Sequence, residues 1–266
     1  MANNRETGDC CSKSILLKAQ AEYSDRSEER AQGIVQILSR FTDPSKNKLL
    51  DLGCGPGSTT MQFGRYARDV VGLDINIVYA KQGRKRQIQM IVADARHIPC
   101  RNGVFGIIVC NDVLEHVARP EQVIHEILRA MTEDGVAFIQ CANKHQIIEP
   151  HFLLPFLSWL PSRISDAYLR LSRRGTSYGD YHPLTKREVD LLVRGLNVVH
   201  LTRERALTKI KTLDIGSQIL RRTISIAGNI LSEETLADLA VPFSVHTLLL
   251  LKTPQESVDH ETFKIL

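Results

Sequence analysis

The chain has 266 residues, of which 43% are hydrophobic and 24% are charged, a composition typical of a globular protein with a sizeable core. Its net charge of +4 and pI of about 8.7 are too weakly basic to argue for a nucleic-acid partner by themselves. The N-terminal residues lack the apolar core of a signal peptide, and no apolar run reaches the ~18 residues of a membrane span. We therefore expect a cytoplasmic protein.

Cysteines are spread along the chain without any C-x-x-C pair. The six are Cys10, Cys11, Cys54, Cys100, Cys110 and Cys141. This pattern favours neither a disulfide framework nor a zinc site, so we predict no metal ion and a reducing compartment.

Residues 1–45 are predicted to form an N-terminal helical arm. After a polar start, apolar residues recur at helical spacing from 14 to 41, with Ile34, Ile37 and Leu38 on one face. The stretch "TDPSKN" then ends the helix.

Residues 46–143 alternate between strand and helix signals. The predicted strands are "KLLDLG", "DVVGLDI", "IQMIVAD", "FGIIVCND" and "VAFIQCAN", with helices near 58–67, 76–85 and 120–131 between them. A turn at "DG" is expected to start the fifth strand. Apolar strands separated by helices indicate a parallel sheet with crossover connections.

Residues 144–184 interrupt this alternation and are predicted to be an inserted helical lid. Over 185–266 the core returns, with a helix at "TKREVDLLVRGL", a strand at "NVVHLTRE", a helical insertion near 213–240 and a closing strand at "SVHTLLLLK". The predicted fold class is α/β, with a Rossmann-like seven-stranded, mostly parallel sheet and helices on both faces.

A glycine-rich turn, "LLDLGCGPGSTT", connects the first strand to a helix. Glycines let the backbone approach a ligand, and the helix N-terminus offers free N–H groups. The spacing of Gly53, Gly55 and Gly57 does not match the dinucleotide pattern G-x-G-x-x-G, because residue 58 is Ser58. No G-K-[ST] sequence is present, so a P-loop is not indicated either.

Acidic residues follow or end the first three strands, at Asp51, Asp74 and Asp94. Together with "VVGLDIN", "VADARHIPC" and "FGIIVCNDVLEHV", the glycine turn resembles the class I S-adenosylmethionine-dependent methyltransferases. The resemblance is to the type 11 branch, which includes quinone-biosynthesis enzymes, and it covers about residues 48–142. Carboxylates suit the hydroxyls, ammonium and amine of S-adenosyl-L-methionine, which carries no pyrophosphate.

The resemblance implies a role for each matching residue. The loop under the methionine part of the cofactor would be Asp51, Gly53, Cys54, Gly55 and Gly57. The ribose and adenine contacts would be Asp74, Ile75, Asp94 and Ala95, with Asn111 at the methionine end and Tyr23 reaching in from the arm. Simpler alternatives are a helix cap for Asp74, a turn cap for Asp94 and ordinary packing for Tyr23.

The acceptor is less well defined. The N-P-P-[YF] signature of many nitrogen methyltransferases is absent, since the chain reads "NDVL" at this point. We therefore predict methyl transfer to oxygen in a small-molecule, glycan or lipid-linked acceptor, with an activated carbon also open. An RNA methyltransferase and a cofactor-binding module without catalysis are the alternatives, and no recognisable nucleic-acid domain favours RNA.

Three histidines are candidate catalytic or substrate-contacting residues. His116 follows the fourth strand, while His145 and His182 lie near the two ends of the lid. Each also fits a packing role in a loop or turn.

Residues 151–174 combine an apolar stretch around Phe156 and Trp159 with a run of arginines. This combination is typical of a segment that lies on a lipid surface, with Trp at the boundary. A lid that packs its apolar side onto the domain is the simpler alternative.

Overall fold

The computed structural model describes residues 26–179, 181–211, 222, 224, 228 and 231–253. Over these residues the strands are β1 Lys48–Leu52, β2 Asp69–Asp74, β3 Gln89–Val92, β4 Phe105–Asn111, β5 Met131–Cys141, β6 Ile148–Glu149, β7 Leu154–Pro155, β8 Asn197–His200 and β9 His246–Leu251. The α-helices are α1 Ser27–Leu38, α2 Ser58–Phe63, α3 Ile77–Lys85, α4 Pro120–Ala130, α5 Ser162–Leu171, α6 Lys186–Leu192, α7 Thr202–Lys211 and α8 Glu233–Ala240.

Seven of the strands form one sheet in the order β3-β2-β1-β4-β5-β9-β8. The first five are parallel, whereas β9 runs antiparallel to both β5 and β8. The predicted seven-stranded, mostly parallel sheet is therefore confirmed. From β1 the chain first adds β2 and β3 on one side, and it then returns to the other side of β1 to add β4 and β5. Such a reversal of strand order opens a crevice at the carboxyl ends of the strands.

Two apolar layers cover the sheet, one on each face. Ile108 and Cys110 of β4 belong to the layer that includes α4 and α6, whereas Ile107 and Val109 belong to the layer that includes α1. Because β4 is buried on both faces, it reads as a continuous apolar run rather than an alternating one. The buried face of α1 includes Ile34, Ile37 and Leu38, as the sequence predicts.

Three predicted boundaries are wrong. The "DG" turn lies inside β5, which pairs with β4 already at Met131, before an irregularity in register. The helix near 58–67 ends at Phe63, directly before Gly64. The strand "NVVHLTRE" ends at His200 because helix α7 begins at Thr202, whose hydroxyl accepts a hydrogen bond from the Thr247 N–H at 3.1 Å.

The helical insertion near 213–240 lies largely outside the described residues. Within them, α8 begins at Glu233 and is capped by Ser232, whose hydroxyl accepts from the Thr235 N–H at 3.2 Å. The part of the predicted arm helix before residue 26 is likewise outside the described residues.

The inserted segment leaves and rejoins the sheet at one point, where Asn143 and Leu184 form a parallel bridge. Between them lie the short β6–β7 hairpin, a turn of 3-10 helix at Leu157–Trp159 and helix α5. The segment has a small apolar core of its own, built from Leu154, Leu157 and Leu169. We call residues 144–184 the lid.

The described chain contains four free cysteines, Cys54, Cys100, Cys110 and Cys141. Among the described helices, none combines the length and apolar character that crossing a membrane requires.

We predict that Gly72→Ala will destabilise the fold by about 1–3 kcal/mol, because an added methyl overpacks the base of the glycine turn. A Cβ at Gly72 would lie 2.7 Å from Cys54 Sγ and 2.8 Å from Met90 Sδ. Urea unfolding measures the change. As a control, Gly33→Ala in α1 meets only an ordinary contact at 3.6 Å and should stabilise by about 0.5–1 kcal/mol. Equal effects at both positions would contradict the packing described here.

Candidate active site

The glycine turn after β1 is held against β2 by its backbone. The N–H groups of Gly53 and Cys54 both donate to the Leu73 carbonyl, at 2.8 and 3.1 Å. Gly53 has a φ of +71° and Gly57 a φ of +81°, and a Cβ at either would strike Val113 or Ile88 within 2.5 Å. A Cβ on Gly55 would meet nothing within 4 Å, so the turn presents bare backbone to open space at this point.

Asp74 links the turn to the next helix. One carboxylate oxygen accepts from the Gly55 N–H and the other from the Asn76 N–H, each at 2.8 Å. Asn76, rather than Asp74, caps α3 by accepting from the Val78 N–H at 2.9 Å. The carboxylate is therefore fixed at the tip of β2, where each oxygen keeps a lone pair for a ligand.

A cavity of about 620 Å³ opens at the carboxyl ends of β1, β2 and β4. Its lining residues are Gly53, Leu73, Asp74, Ile75, Asn76, Tyr79, Ala93, Asp94, Ala95, Arg96, Asp112, Val113, His116, Val117, Ala118 and His182. The predicted cofactor residues Gly53, Asp74, Ile75, Asp94 and Ala95 thus lie together, with Ile75 69% exposed although it is apolar.

Asp94 forms an ion pair with Arg96 inside this cavity. Arg96 donates to both oxygens of Asp94, with its Nε at 3.0 and 3.1 Å, and its backbone N–H adds a bond of 2.9 Å. The hydrogen bonds from Arg96 lower the pKa of Asp94 to about 2. The carboxylate is ionised at neutral pH, but any ligand amine must share it with the guanidinium.

Asp51 and Cys54 lie beneath the cavity rather than in its lining. Asp51 is 6% exposed and accepts from the Thr60 hydroxyl at 2.6 Å. Burial raises the pKa of Asp51 to about 7, although the Thr60 hydrogen bond lowers it. The Cys54 sulfur packs 3.8 Å from Met90 Sδ, and burial raises the pKa of this thiol.

Asp112, which our sequence analysis did not select, lies in the cavity wall at the end of β4. It has a φ of +56°, uncommon for a residue with a side chain, and its N–H donates to the Gln140 carbonyl at 2.9 Å. The predicted contact residue Asn111 donates to the Asp112 carboxylate at 2.6 Å and is not itself in the lining. Burial raises the pKa of Asp112. The signal was available, since Asp112 stands at the carboxyl end of a strand as Asp74 does.

The candidate histidines separate into two groups. His116 and His182 both line the cavity, and the His182 N–H donates to the Glu115 carbonyl at 2.7 Å. His145 lies outside it, with its ring 5.7 Å from Trp159 on the lid. Tyr23 falls outside the described residues.

A group of lid side chains, which were not among the predicted site residues, packs behind His116. His151 and Tyr181 approach the His116 ring, with ring centres 5.7 and 5.2 Å away. His151 is itself bonded to the fully buried Glu149 at 3.0 Å. Among the described residues, no three His, Cys, Asp or Glu side chains are grouped so that they could hold a metal ion.

Residues 50–139 match the protein family described as "Methyltransferase domain". The chain is similar to norajmaline N-methyltransferase of Rauvolfia serpentina, with 26% identity over 127 residues that cover 44% of this chain and 43% of that protein. It is also similar to a ubiquinone biosynthesis O-methyltransferase of Rickettsia canadensis, with 26% identity over 143 residues that cover 48% of this chain and 58% of that protein. The chain spans about half the length of these curated relatives.

Among solved structures, a SAM-dependent methyltransferase of Thermotoga maritima is similar with a TM-score of 0.50 and 14% identity, over 90% of this chain and 99% of that one. The sheet order and the strand-end crevice thus define a class I methyltransferase fold. The match of residues 50–139 to a methyltransferase domain confirms the resemblance seen in the sequence for this part of the chain.

S-adenosyl-L-methionine is the cofactor of this domain. The residues present fit it: the glycine backbone at Gly53, a fixed carboxylate at Asp74 and an exposed apolar wall at Ile75 border one cavity. These are the groups that a nucleoside with two hydroxyls and a flat base requires.

We predict that Asp51→Asn will stabilise the fold, and that the gain will grow as pH rises from about 4 to about 7. The folded protein binds the Asp51 proton more tightly than the unfolded chain does, so the wild type loses stability over this window. Above it the gain should reach at most about 4 kcal/mol. Thermal unfolding at several pH values measures it.

The control is Thr60→Val, which removes the hydroxyl donor and keeps the acid. This variant should retain a loss of stability with rising pH at least as large as that of the wild type. A constant difference between Asp51→Asn and wild type at all pH values would contradict the burial of Asp51 as an acid.

Proposed function

We propose that this protein is an S-adenosylmethionine-dependent methyltransferase that methylates a hydroxyl of a small-molecule, glycan or lipid-linked acceptor. The observation that carries the proposal is one cavity in which Asp74 and Asp94 stand at the end formed by β2 and β3, and Asp112 and His116 at the end formed by β4. One end suits a nucleoside, and the other offers groups that accept a proton.

At the nucleoside end, Asp74 would accept the ribose hydroxyls while its bonds to Gly55 and Asn76 keep it in place. Asp94 would accept from the adenine amino group beside Arg96, and Ile75 would cover a face of the base. Asp51, Cys54, Gly57 and Asn111 would support the methionine end from below. The bound cofactor supplies an electrophilic methyl group with a good leaving group.

At the acceptor end, the residues align the acceptor's oxygen and remove its proton. Alignment alone can account for much of the acceleration of a displacement at carbon. His116 and Asp112 border the cavity, and a neutral imidazole or a carboxylate can accept a proton from a hydroxyl. His182, 2.7 Å from the Glu115 carbonyl through its backbone, would contact the acceptor from the lid.

The names of the similar proteins do not fix the acceptor atom, because one is an N-methyltransferase and another an O-methyltransferase. Oxygen is favoured here by the acidic and imidazole groups at the end of β4 and by the absence of an N-P-P-[YF] sequence there.

The lid's outer surface supports a further proposal, that the enzyme contacts an anionic lipid surface and takes a lipid-linked acceptor from it. Leu153 and Phe156 are 53% and 48% exposed, and both have positive φ, so the backbone is strained where it presents apolar groups to solvent. Trp159 is 41% exposed beside Phe156. Arg163, Arg170 and Arg173 are exposed on or next to α5, and their charge matches anionic headgroups.

We predict that Asp74→Asn will weaken cofactor binding about 10- to 100-fold, because an amide cannot accept from both the Gly55 and Asn76 N–H groups. Calorimetric titration with S-adenosyl-L-methionine measures the affinity, and labelled-methyl transfer to phenols, carboxylic acids, glycans and quinone precursors measures activity. We expect transfer to hydroxyl acceptors and its loss in the variant.

Asp69→Asn is the matched control, since Asp69 begins the same strand at its opposite end and pairs with Lys48 at 3.0 Å. It should bind the cofactor as the wild type does. Methylation of RNA but not of small acceptors, or tight cofactor binding without any transfer, would overturn the proposed function in favour of its two alternatives.

We predict that Leu153→Asn with Phe156→Asn will reduce flotation with phosphatidylglycerol vesicles at least several-fold, without loss of stability. Asn tolerates positive φ, so the change removes exposed apolar surface and keeps the backbone conformation. Leu191→Gln, at an exposed apolar position of α6 outside the lid, is the control and should float as the wild type does. Equal binding to phosphatidylcholine, or no flotation of any protein, would favour a lid that only packs onto the domain.

A further inference from the structure

Glu149 and His151 form an ion pair on the lid, in which the carboxylate is fully buried and the histidine is half-buried. Glu149 is fully buried, with one oxygen 3.0 Å from His151 Nδ1 and the other accepting from the Phe152 N–H at 2.7 Å. Among the described residues, His151 is the cationic partner found within ion-pair distance of Glu149. Because a buried carboxylate is costly unless it is paired, this arrangement favours the protonated form of His151.

The pair stands beside the imidazole that lines the cavity. The His151 ring centre lies 5.7 Å from that of His116, edge-on at 82°, and 4.4 Å from that of Tyr181. Two imidazolium ions at this separation would repel each other, so a proton on His151 disfavours a proton on His116.

Other titratable groups surround the two rings. From the end of β4 and the turn after it come Asp112 and Glu115, from the lid come Tyr178, Tyr181 and His182, and from α1 comes the charge of Arg30, which acts on Asp112. Burial raises the pKa of Glu115 to about 7, and it also raises the pKa values of Asp112 and of both tyrosines. These carboxyl groups thus carry less negative charge than exposed acids would.

The direction of the histidine pKa shifts agrees with the geometry. Burial would lower the pKa of His151, but its hydrogen bond to Glu149 and the charges of Glu149, Glu115 and Asp112 raise it overall. Burial and the charge of His151 lower the pKa of His116.

We propose that the Glu149–His151 pair of the lid holds a positive charge beside His116 and so keeps His116 neutral and able to take the acceptor's proton. The inference rests on the proposed function. In the step, the acceptor's oxygen forms the new C–O bond, its proton passes to a ring nitrogen of His116, and the electron pair of the broken S–C bond stays on sulfur. His116 is then the catalytic residue, and Glu149 and His151 are positioning residues.

Histidine NMR titration of the full chain tests the proposal directly, with the His116 signal assigned by its loss in His116→Gln. We expect wild-type His116 to titrate below the usual midpoint near ~6.5, and His151→Asn to raise that midpoint by about 0.5–2 pH units. Glu149→Gln should shift it in the same direction while keeping an acceptor for the Phe152 N–H. The acidic limb of kcat should move to higher pH by a similar amount, with cofactor affinity unchanged.

His145→Asn, on the same lid but against Trp159, is the control and should leave the His116 midpoint in place. A His116 midpoint that moves in neither His151→Asn nor Glu149→Gln would overturn the inference, even if methyl transfer were fully established. If the midpoint moved but no acceptor were methylated, the charge coupling would stand and the proposed function would fail.

Discussion

The carboxylate of Asp74 joins three parts of the candidate site through two hydrogen bonds. It receives the Gly55 N–H from the turn after β1 and the Asn76 N–H at the start of α3, and it stands on the last residue of β2. This one side chain satisfies both backbone donors, and together with the bonds from Gly53 and Cys54 to the Leu73 carbonyl it holds the turn with its left-handed glycines in place. The shape of the cavity at the nucleoside end follows from this carboxylate.

The same region contains buried acids whose ionised forms are unfavourable. Asp51, Asp112 and Glu115 are acids in buried positions around one crevice, and burial raises the pKa of each. A fold selected for stability alone would place amides or apolar groups there. A ligand's ammonium group or a transferred proton can compensate the charge of such a buried acid. Acids at these positions are therefore typical of a functional site, where titratable groups with shifted pKa values are concentrated.

The core of the fold could be predicted from the sequence because its signals are local. Each parallel strand contains a short apolar run, polar residues stand at or just after the ends of β2, β3 and β4, and carboxyl ends of parallel strands meet at one edge of the sheet. Asp74, Asp94 and Gly53 therefore came together as expected. The start of β5 could not be predicted in this way, because pairing with Phe105 of β4 extends the strand through "DG", a sequence that would form a turn elsewhere.

The lid was predicted as an insertion, but the pairing of its buried Glu149 with His151 was not predicted from the sequence. Glu149 and His151 are two residues apart in a stretch without helical or strand periodicity, and a surface pair would be the ordinary expectation for them. The placement of the pair depends on the β6–β7 hairpin and on Tyr181, which packs against His151 from 30 residues further along the chain. The contacts that bring a lid ion pair to a core histidine are tertiary, and only the folded arrangement of the two segments reveals them.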